Sequence, residues 1–439
     1  MKKSLLLISV LVASVLMILT FSLAGCKTTA TTEATTAGET TAAETTAAET
    51  TAAAKEEVVL TFSIWDEPQL EVLKTIAGNF KKLHPNITVN IESTPWEQYW
   101  MKMDTSITAG GGSDIFWMNG TNIAKYASNG VILPLNDRIE SENFNMENYP
   151  ESLVALYNYE GEQMAIPKDF DTIGLWYNKT LFDAAGIKYP DETWDWNTVA
   201  DVAKKLTNAS AGIYGITAGL QNQQGYYNTI AQAGGYVLSP DKKTSGYDKP
   251  EAITGLKFWT DLIKAGVSPT IQQMTDTYDF QIFESGKIGM IFSGSWMANY
   301  YNSNELIRDQ VDVAVLPKGV NRATIIHGLG YCINTATKHP EEAWLFLQYL
   351  GGKEAAELQT AIPAYNGTQD SWIKKMPQYN LQVFVDMLDY AVPLPVSKET
   401  AKWWEVENKY FKQAWAGTIT IEDAAKKVAT EMNAILAAE

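Results

Sequence analysis

The order of apolar and polar positions divides the chain into three stretches. Met1-Lys2-Lys3 is followed by an apolar run over residues 5–23, broken only by isolated Ser and Thr. Residues 27–57 are almost entirely Thr, Ala and Glu, with Glu-Thr-Thr-Ala-Ala starting at Glu39, Glu44 and Glu49. That stretch has no apolar periodicity and can build no core. From Val58 onward the pattern becomes that of a folded protein. Residues 58–65 form a β-branched and aromatic run that predicts a buried strand. Leu70, Leu73, Ala77, Phe80 and Leu83 share one helical face that ends before Pro85. Residues 87–91 alternate as a strand, and 96–109 form an amphipathic helix closed by Gly110-Gly111-Gly112. Residues 114–118 predict another short strand, followed by a helix ending at Gly130. This β-α-β-α-β order predicts a right-handed, mostly parallel sheet covered by helices.

The alternation resumes further along. Residues 172–178, 214–217, 288–293 and 311–316 read as strands. Helical faces lie over 199–206 and at Ile253, Leu256, Leu262 and Ile263, closed by Gly266. Pro340 opens a helix, with Glu341 and Glu342 near its positive end. A long helix runs from Ile421 to about Ala437, with Glu422 and Asp423 in its first turn. About 380 residues of such material exceed what one core supports, so two α/β lobes are expected.

Composition narrows the chemistry. Of 439 residues, 46% are hydrophobic and 19% charged, which excludes an intrinsically disordered chain. The net charge of −17 argues against nucleic acid and anionic membrane surfaces as partners, because both need fields of Lys and Arg. Residues 1–25 carry +2 and residues 27–57 carry −4, leaving −15 spread over the folded part. Two cysteines and three histidines exclude a disulfide scaffold and a His/Cys-rich metal site. No metal and no cofactor are expected. The aromatic content is high, with 14 Trp and 21 Tyr.

The N-terminus sets the compartment. Leu23-Ala24-Gly25-Cys26 places small residues before a Cys at the end of an apolar run, the arrangement of a bacterial lipobox. Residues 1–25 are then a signal peptide, and Cys26 becomes the acylated N-terminus. Several acyl chains anchor a protein stably where one does not. The mature protein is expected as a monomeric lipoprotein on the outer face of a membrane, lifted off it by the tether of residues 26–57. Cys332, in Gly330-Tyr331-Cys332-Ile333, reads as a small buried hydrophobe rather than a nucleophile.

Several ordered segments carry a resemblance. They are Gly110-Gly111-Gly112-Ser113-Asp114-Ile115; Tyr126 to Leu135; Ala165-Ile166-Pro167 leading to Leu175-Trp176-Tyr177-Asn178-Lys179 and Ala185-Gly186; Gln232-Ala233-Gly234-Gly235; Gly286-Lys287-Ile288-Gly289-Met290 with Gly294-Ser295-Trp296; and Glu342-Ala343-Trp344-Leu345-Phe346. Together, over about residues 58–439, they resemble the bacterial extracellular solute-binding proteins of family 1, of which maltose-binding protein is a distant relative. The chain departs from the family pattern in having Gly289 where Ala is usual and His327-Gly328 where a Gly pair is usual. The resemblance implies a two-lobed periplasmic-binding-protein fold of type II-like kind, with a hinge of about three crossovers. It implies lobes of 58–171 plus 322–370 and of 172–321 plus 371–439. It further implies a sugar or oligosaccharide ligand in the cleft between them, and delivery to the permease subunits of an ABC importer. No Gly-x-x-x-x-Gly-Lys-Ser/Thr loop is present, so ATP is not hydrolysed by that route.

Candidate ligand contacts follow from sugar chemistry and from matching positions. A pyranose presents an apolar face and a rim of hydroxyls, and needs flat aromatic rings plus Asp, Glu, Asn or Gln partners. In open α/β sheets ligands lie beyond the carboxyl ends of strands. Trp65, Glu67, Asn119, Asp169 and Asp171 stand there. Trp296 matches a sugar-stacking position, and Trp403 and Trp404 match an aromatic platform of which at least one ring faces the cleft. Gln224 and Tyr227 match polar and aromatic positions, and His327 lies near a crossover. Each has a structural alternative: Glu67 as a helix-start acid, Asn119 as a turn residue, Asp171 in a hinge salt bridge, the Trp residues and His327 as core, Gln224 and Tyr227 as loop residues. Three rival functions remain open. Asp169 and Asp171, two apart in an extended segment, lie about 6.5–7 Å apart, a separation within the inverting glycosidase range. Tyr226-Tyr227 resembles the tandem tyrosines of ferric-ion binders. The third rival is an adhesion or scaffold lipoprotein.

Overall fold

A computed structural model describes residues 56–439. The signal peptide, Cys26 and most of the tether lie outside the described residues. In chain order the principal elements are β1 (Val58–Ile64), α1 (Leu70–Leu83), β2 (Ile87–Ser93), α2 (Trp96–Ala109), β3 (Ile115–Asn119), β4 (Ile166–Asp171) and β5 (Ile173–Asn178). Then come α3 (Trp196–Leu206), β6 (Tyr214–Ile216), α4 (Pro250–Lys264), β7 (Ile288–Gly294), β8 (Val311–Ala314) and β9 (Thr324–Ile333). The chain ends with α5 (Pro340–Gly351), β10 (Ile362–Pro363), β11 (Ala391–Pro393), α6 (Thr400–Trp415) and α7 (Ile421–Leu436). Local chemistry sets the boundaries. The Asp195 side chain accepts from Thr198 N at 2.8 Å to start α3, and Thr420 caps α7 by accepting from Asp423 N at 3.1 Å. The helix expected to end at Gly130 is a short one, Ile123–Ser128.

These strands form two sheets, beside a separate two-stranded hairpin of Asn158–Tyr159 and Glu162–Gln163. The larger has the order β10-β4-β9-β3-β1-β2, with β11 joining the start of β9. The smaller has the order β8-β5-β7-β6. The mostly parallel arrangement expected from the alternation is corrected here. β1 runs parallel to β2 and β3, but β9 is antiparallel to both β3 and β4, and β5 is antiparallel to β7 and β8. The reason is the route of the chain. Strand β4 leads out of the large sheet towards the small one, and β9 returns from it, so β9 enters at the end where β1, β3 and β4 finish.

Each sheet has its own core. Leu60, Phe62, Trp117, Trp344 and Phe346 pack on the large sheet, and Leu175, Ile216, Trp259, Phe292 and Trp403 on one face of the small one. The other face of the small sheet, with Trp176, Ile291 and Val313, joins the first core. A wedge of Trp372, Tyr379 and Phe384 makes that connection, with the Trp176 ring 5.4 Å from Tyr379 and 6.0 Å from Phe384. A third cluster gathers Tyr99, Met118, Tyr126 and Cys332. Cys332 is a free, buried thiol, as its apolar setting predicts, and burial pushes its pKa well up.

The chain passes between the sheets in three places: Thr172 alone links β4 to β5, residues 315–323 link β8 to β9, and the segment after β11 leads into α6. Thr172 Oγ1 donates to Phe384 O at 2.8 Å. Thr324 Oγ1 donates to Ile173 O at 3.0 Å and accepts from Ile173 N at 2.9 Å.

The Gly110–Ile115 segment has a structural role that its geometry makes plain. The Asp114 carboxylate accepts from Thr61 N at 2.8 Å, Thr61 Oγ1 at 2.7 Å and Thr337 Oγ1 at 2.6 Å, tying β1, β3 and the loop after β9 together. Its half-burial alone would raise the carboxyl pKa, but the hydrogen bonds from Thr337 and Thr61 outweigh that and hold it below the usual aspartate value. Its stabilising contribution is present above the unfolded aspartate pKa and fades as pH falls through the lower folded one. Asp114→Asn is expected to cost about 2 kcal/mol in urea unfolding near neutral pH, with the difference from wild type narrowing below about pH 4.

Candidate ligand cleft

The ends of β1, β3 and β4 and the start of β9 meet at the passage between the sheets, together with the ends of β6 and β7. That is where the strand-end rule puts a ligand. Asp171 and His327 are direct partners across β4 and β9, so their side chains share a face. His327 is 5% exposed, and neither ring nitrogen has a hydrogen-bond partner among the described residues. Burial holds its pKa down to about 4, so the imidazole is neutral and offers one donor and one acceptor. Asp171 is half-buried and accepts from Gln223 Nε2 at 2.6 Å. Burial first, and then neighbouring Asp169, push its carboxyl well above the ordinary range.

Asp169 is buried, pairs with Lys168 in a short contact and accepts from Leu329 N at 2.9 Å. Burial raises its pKa too. Lys168 is fully enclosed. It also donates to Gln69 Oε1 at 2.9 Å and sits 4.5 Å from the centre of the Trp117 ring, so its charge is spent inside the first lobe. Gln69 in turn donates to Asp66, whose carboxyl is raised by burial and faces the Tyr300 hydroxyl of the other lobe. Trp65 stands half-buried at the centre of an indole group, with ring centroids 5.2 Å from Trp96, 5.6 Å from Trp100 and 5.3 Å from Trp117.

From the second lobe, β7 ends in Gly294-Ser295-Trp296. Ser295 N donates to Thr172 O at 3.1 Å, fixing this turn to the crossing strand. The half-buried Trp296 ring folds back onto Gly294, where a Cβ would lie 1.9 Å from Cζ3, so only glycine admits the indole in this position. Trp296 touches both cores. Gln224 Oε1 accepts from Ser293 Oγ at 2.7 Å on the same strand.

The arrangement therefore brings together Trp65, Asp169, Asp171, Gln224, Trp296 and His327. It treats the other candidates differently. Glu67 is exposed and opens a single 3-10 turn, its structural alternative. Asn119 Oδ1 accepts from Asn122 N at 3.1 Å and Nδ2 at 2.9 Å, the turn role weighed for it. Tyr227 is 1% exposed and its hydroxyl is spent on Glu407, which leaves no ring face for a ligand; Tyr226 donates to the same carboxyl, so the tandem tyrosines are turned into the core. Trp403 is buried, donating to Ser397 Oγ at 2.9 Å, while the adjacent Trp404 stays half-buried. The glycines after His327 serve packing rather than ligand approach. A Cβ on Gly328 would lie 2.4 Å from Asp169 O, beside the register shift at Leu329/Gly330. Asp66, Tyr300 and Gln223 were absent from the candidates. Asp66 and Gln223 adjoin residues that were chosen, and Tyr300 lies one helical turn beyond Trp296.

With this geometry in view, the comparisons with known proteins are consistent in kind. Residues 63–357 match the model of the bacterial extracellular solute-binding protein family, and the chain belongs to that family. A binding protein of Brucella abortus is 27% identical over 306 residues, 68% of this chain and 72% of that one. The maltodextrin-binding protein of Bacillus subtilis is 22% identical over 355 residues, 79% of this chain and 82% of its own. An ABC substrate-binding protein of Listeria monocytogenes, solved in complex with cycloalternan, superposes with a TM-score of 0.81 at 25% identity, covering 87% of this chain and 100% of the other. The fold is thus the two-lobed periplasmic-binding architecture.

Gly294→Ala is expected to expel the Trp296 indole from its seat and to cost about 1–3 kcal/mol through overpacking. The tryptophan emission spectrum should change relative to wild type, and the same substitution placed on Trp296→Phe should produce no such change.

Proposed function

We propose that this chain captures an uncharged sugar or oligosaccharide between its lobes and delivers it, chemically unaltered, to the permease of an ABC importer. The observation that carries the reading is Trp296. A half-buried indole packs over Gly294 where the two cores meet, and the turn that carries it is hydrogen-bonded to Thr172, the residue after Asp171, whose partner on β9 is the neutral His327. That combination offers a stacking face and hydroxyl partners of both senses. The relatives bound to or named for maltodextrin and cycloalternan support a carbohydrate. Of the lobe bounds implied by the resemblance we keep 58–171 and 172–321, and we place the last change of lobe after Pro393 rather than at residue 370, because β11 pairs with β9 of the large sheet; we take the protein to act as a monomer. The lipobox at Leu23-Ala24-Gly25-Cys26 supports cleavage before Cys26 and lipid anchoring on the outer face of the membrane.

A thermal-shift screen over mono- and oligosaccharides tests the reading. A binder at a hundredfold excess over its Kd adds about 2.7 kcal/mol of stability. Trp296→Ala should remove the shift; because the ring packs on both cores, the ligand-free variant also melts lower, and the shift is read against each variant's own ligand-free melting temperature. A shift that survives the substitution removes Trp296 from the site, and a bound oligosaccharide recovered shorter than it was added overturns the transport role.

A further inference from the structure

Helix α6 carries a carboxyl group deep in the second lobe. Glu407 is 1% exposed. Tyr226 donates to its Oε2 at 2.8 Å, Tyr227 to Oε1 and Oε2 at 2.9 and 3.0 Å, and Tyr247 to Oε1 in a short contact. The Asn222 side chain faces it as well. These donors bracket one short piece of chain. Asn222 and Tyr226 are the two ends of a single wide turn, Asn222–Tyr226, and Tyr227 begins the helix Tyr227–Gln232. The middle of that turn is Gln223 and Gln224, which reach the cleft groups Asp171 at 2.6 Å and Ser293 at 2.7 Å. Asn228 secures the turn from the other side. It donates to Gln223 O at 2.7 Å and accepts from Ile325 N at 2.8 Å, two residues before His327.

We propose that Glu407 is a positioning residue for the ligand cleft. By holding both ends of the Asn222–Tyr227 segment, it keeps Gln223 and Gln224 in the one geometry that presents Asp171 and the Trp296 strand to a ligand. The inference deepens the carbohydrate reading above and rests on it for its effect on affinity. The clamp has a pH sense. Burial pushes the Glu407 carboxyl up to about 8, and the groups facing it are the Tyr226, Tyr227 and Tyr247 hydroxyls and the Asn222 amide. As a neutral acid it gives its own proton to one tyrosine oxygen, so one of these contacts reverses its sense while the other hydroxyls and the Asn222 amide still donate to it. Once ionised it is a buried charge that favours openings admitting water. The clamp is therefore tight below the unfolded glutamate pKa and loosens as pH rises through about 8.

The test measures maltotriose affinity by calorimetry from pH 6 to 9.5 for wild type, Glu407→Gln and Tyr226→Phe. Wild-type affinity should fall above about pH 8, whereas Glu407→Gln, which keeps the shape without the charge, should match wild type at pH 6.5 and stay flat. Tyr226→Phe should weaken binding about tenfold with little change in melting temperature, because it frees one end of the turn. Identical pH profiles for wild type and Glu407→Gln, or wild-type affinity in Tyr226→Phe, overturn the proposal. If wild type takes no maltotriose, the carbohydrate reading fails for that sugar, and hydrogen exchange over residues 222–228, corrected for chemical rate, decides on Glu407 alone. Exchange rising through pH 8 in wild type but not in Glu407→Gln supports the clamp, and parallel curves refute it.

Discussion

The organisation of this protein depends on a dry joint at which the chain changes sheets. Buried backbone donors and acceptors must find partners, and at Thr172–Ile173 the usual ladder stops because β4 and β5 belong to different sheets. Two threonine hydroxyls fill the gap, one reaching Phe384 O and the other bridging both polar groups of Ile173. A third bond, from Ser295 N to Thr172 O, draws the end of β7 to the same point. These contacts decide where the strands end. They therefore bring Asp171, its β9 partner His327 and the turn of Trp296, which are far apart in sequence, to the same joint. The joint is not the only tie between the sheets, because one face of the small sheet also shares the first core through Trp372, Tyr379 and Phe384.

Much of the fold was legible because most elements bury a regular stripe. β1, α1, α2, α4 and α7 show clean periods of 2 or 3.6, and each lies within a few residues of its expected place. The two strands that build the joint were not legible. β4 reads Ile-Pro-Lys-Asp-Phe-Asp, with a proline and three charged residues, and β9 is interrupted by His327, Gly328 and Gly330. Both are buried along almost their whole length. Lys168 and Asp169 pair with each other, Gln69 answers Lys168, Leu329 N answers Asp169 and Gln223 answers Asp171, a tertiary solution that no window of sequence displays. Missing them also concealed the antiparallel run of β9, and with it the mixed character of the large sheet.

The candidate site divides along the same line. Trp296 was chosen through its place in an ordered motif, and the strand-end rule added Trp65 and Asp171. Tyr227 and Trp403 were drawn in by matching family positions, yet each sits on a helical face turned inward, where a hydroxyl or indole N–H is answered by Glu407 or Ser397. Residue type alone does not separate a ring that meets a ligand from one that fills a core. The neighbours do, and Glu407, 180 residues from Tyr227, is visible only in three dimensions.

One small feature bears on life outside the cell, where the family operates. Cys332 lies at the middle of the large sheet, paired through β9 to Phe116 and shielded on every side. Oxidising surroundings convert accessible thiolates into mixed disulfides and sulfenic acids. Here the sulfur is protonated and unreachable for as long as the sheet stays intact. Among the described residues, the cysteine thiol is consequently redox-silent in the folded molecule. Its thiol is a marker of global unfolding, and reaction with an external oxidant would report that the central strand had been pulled out of register.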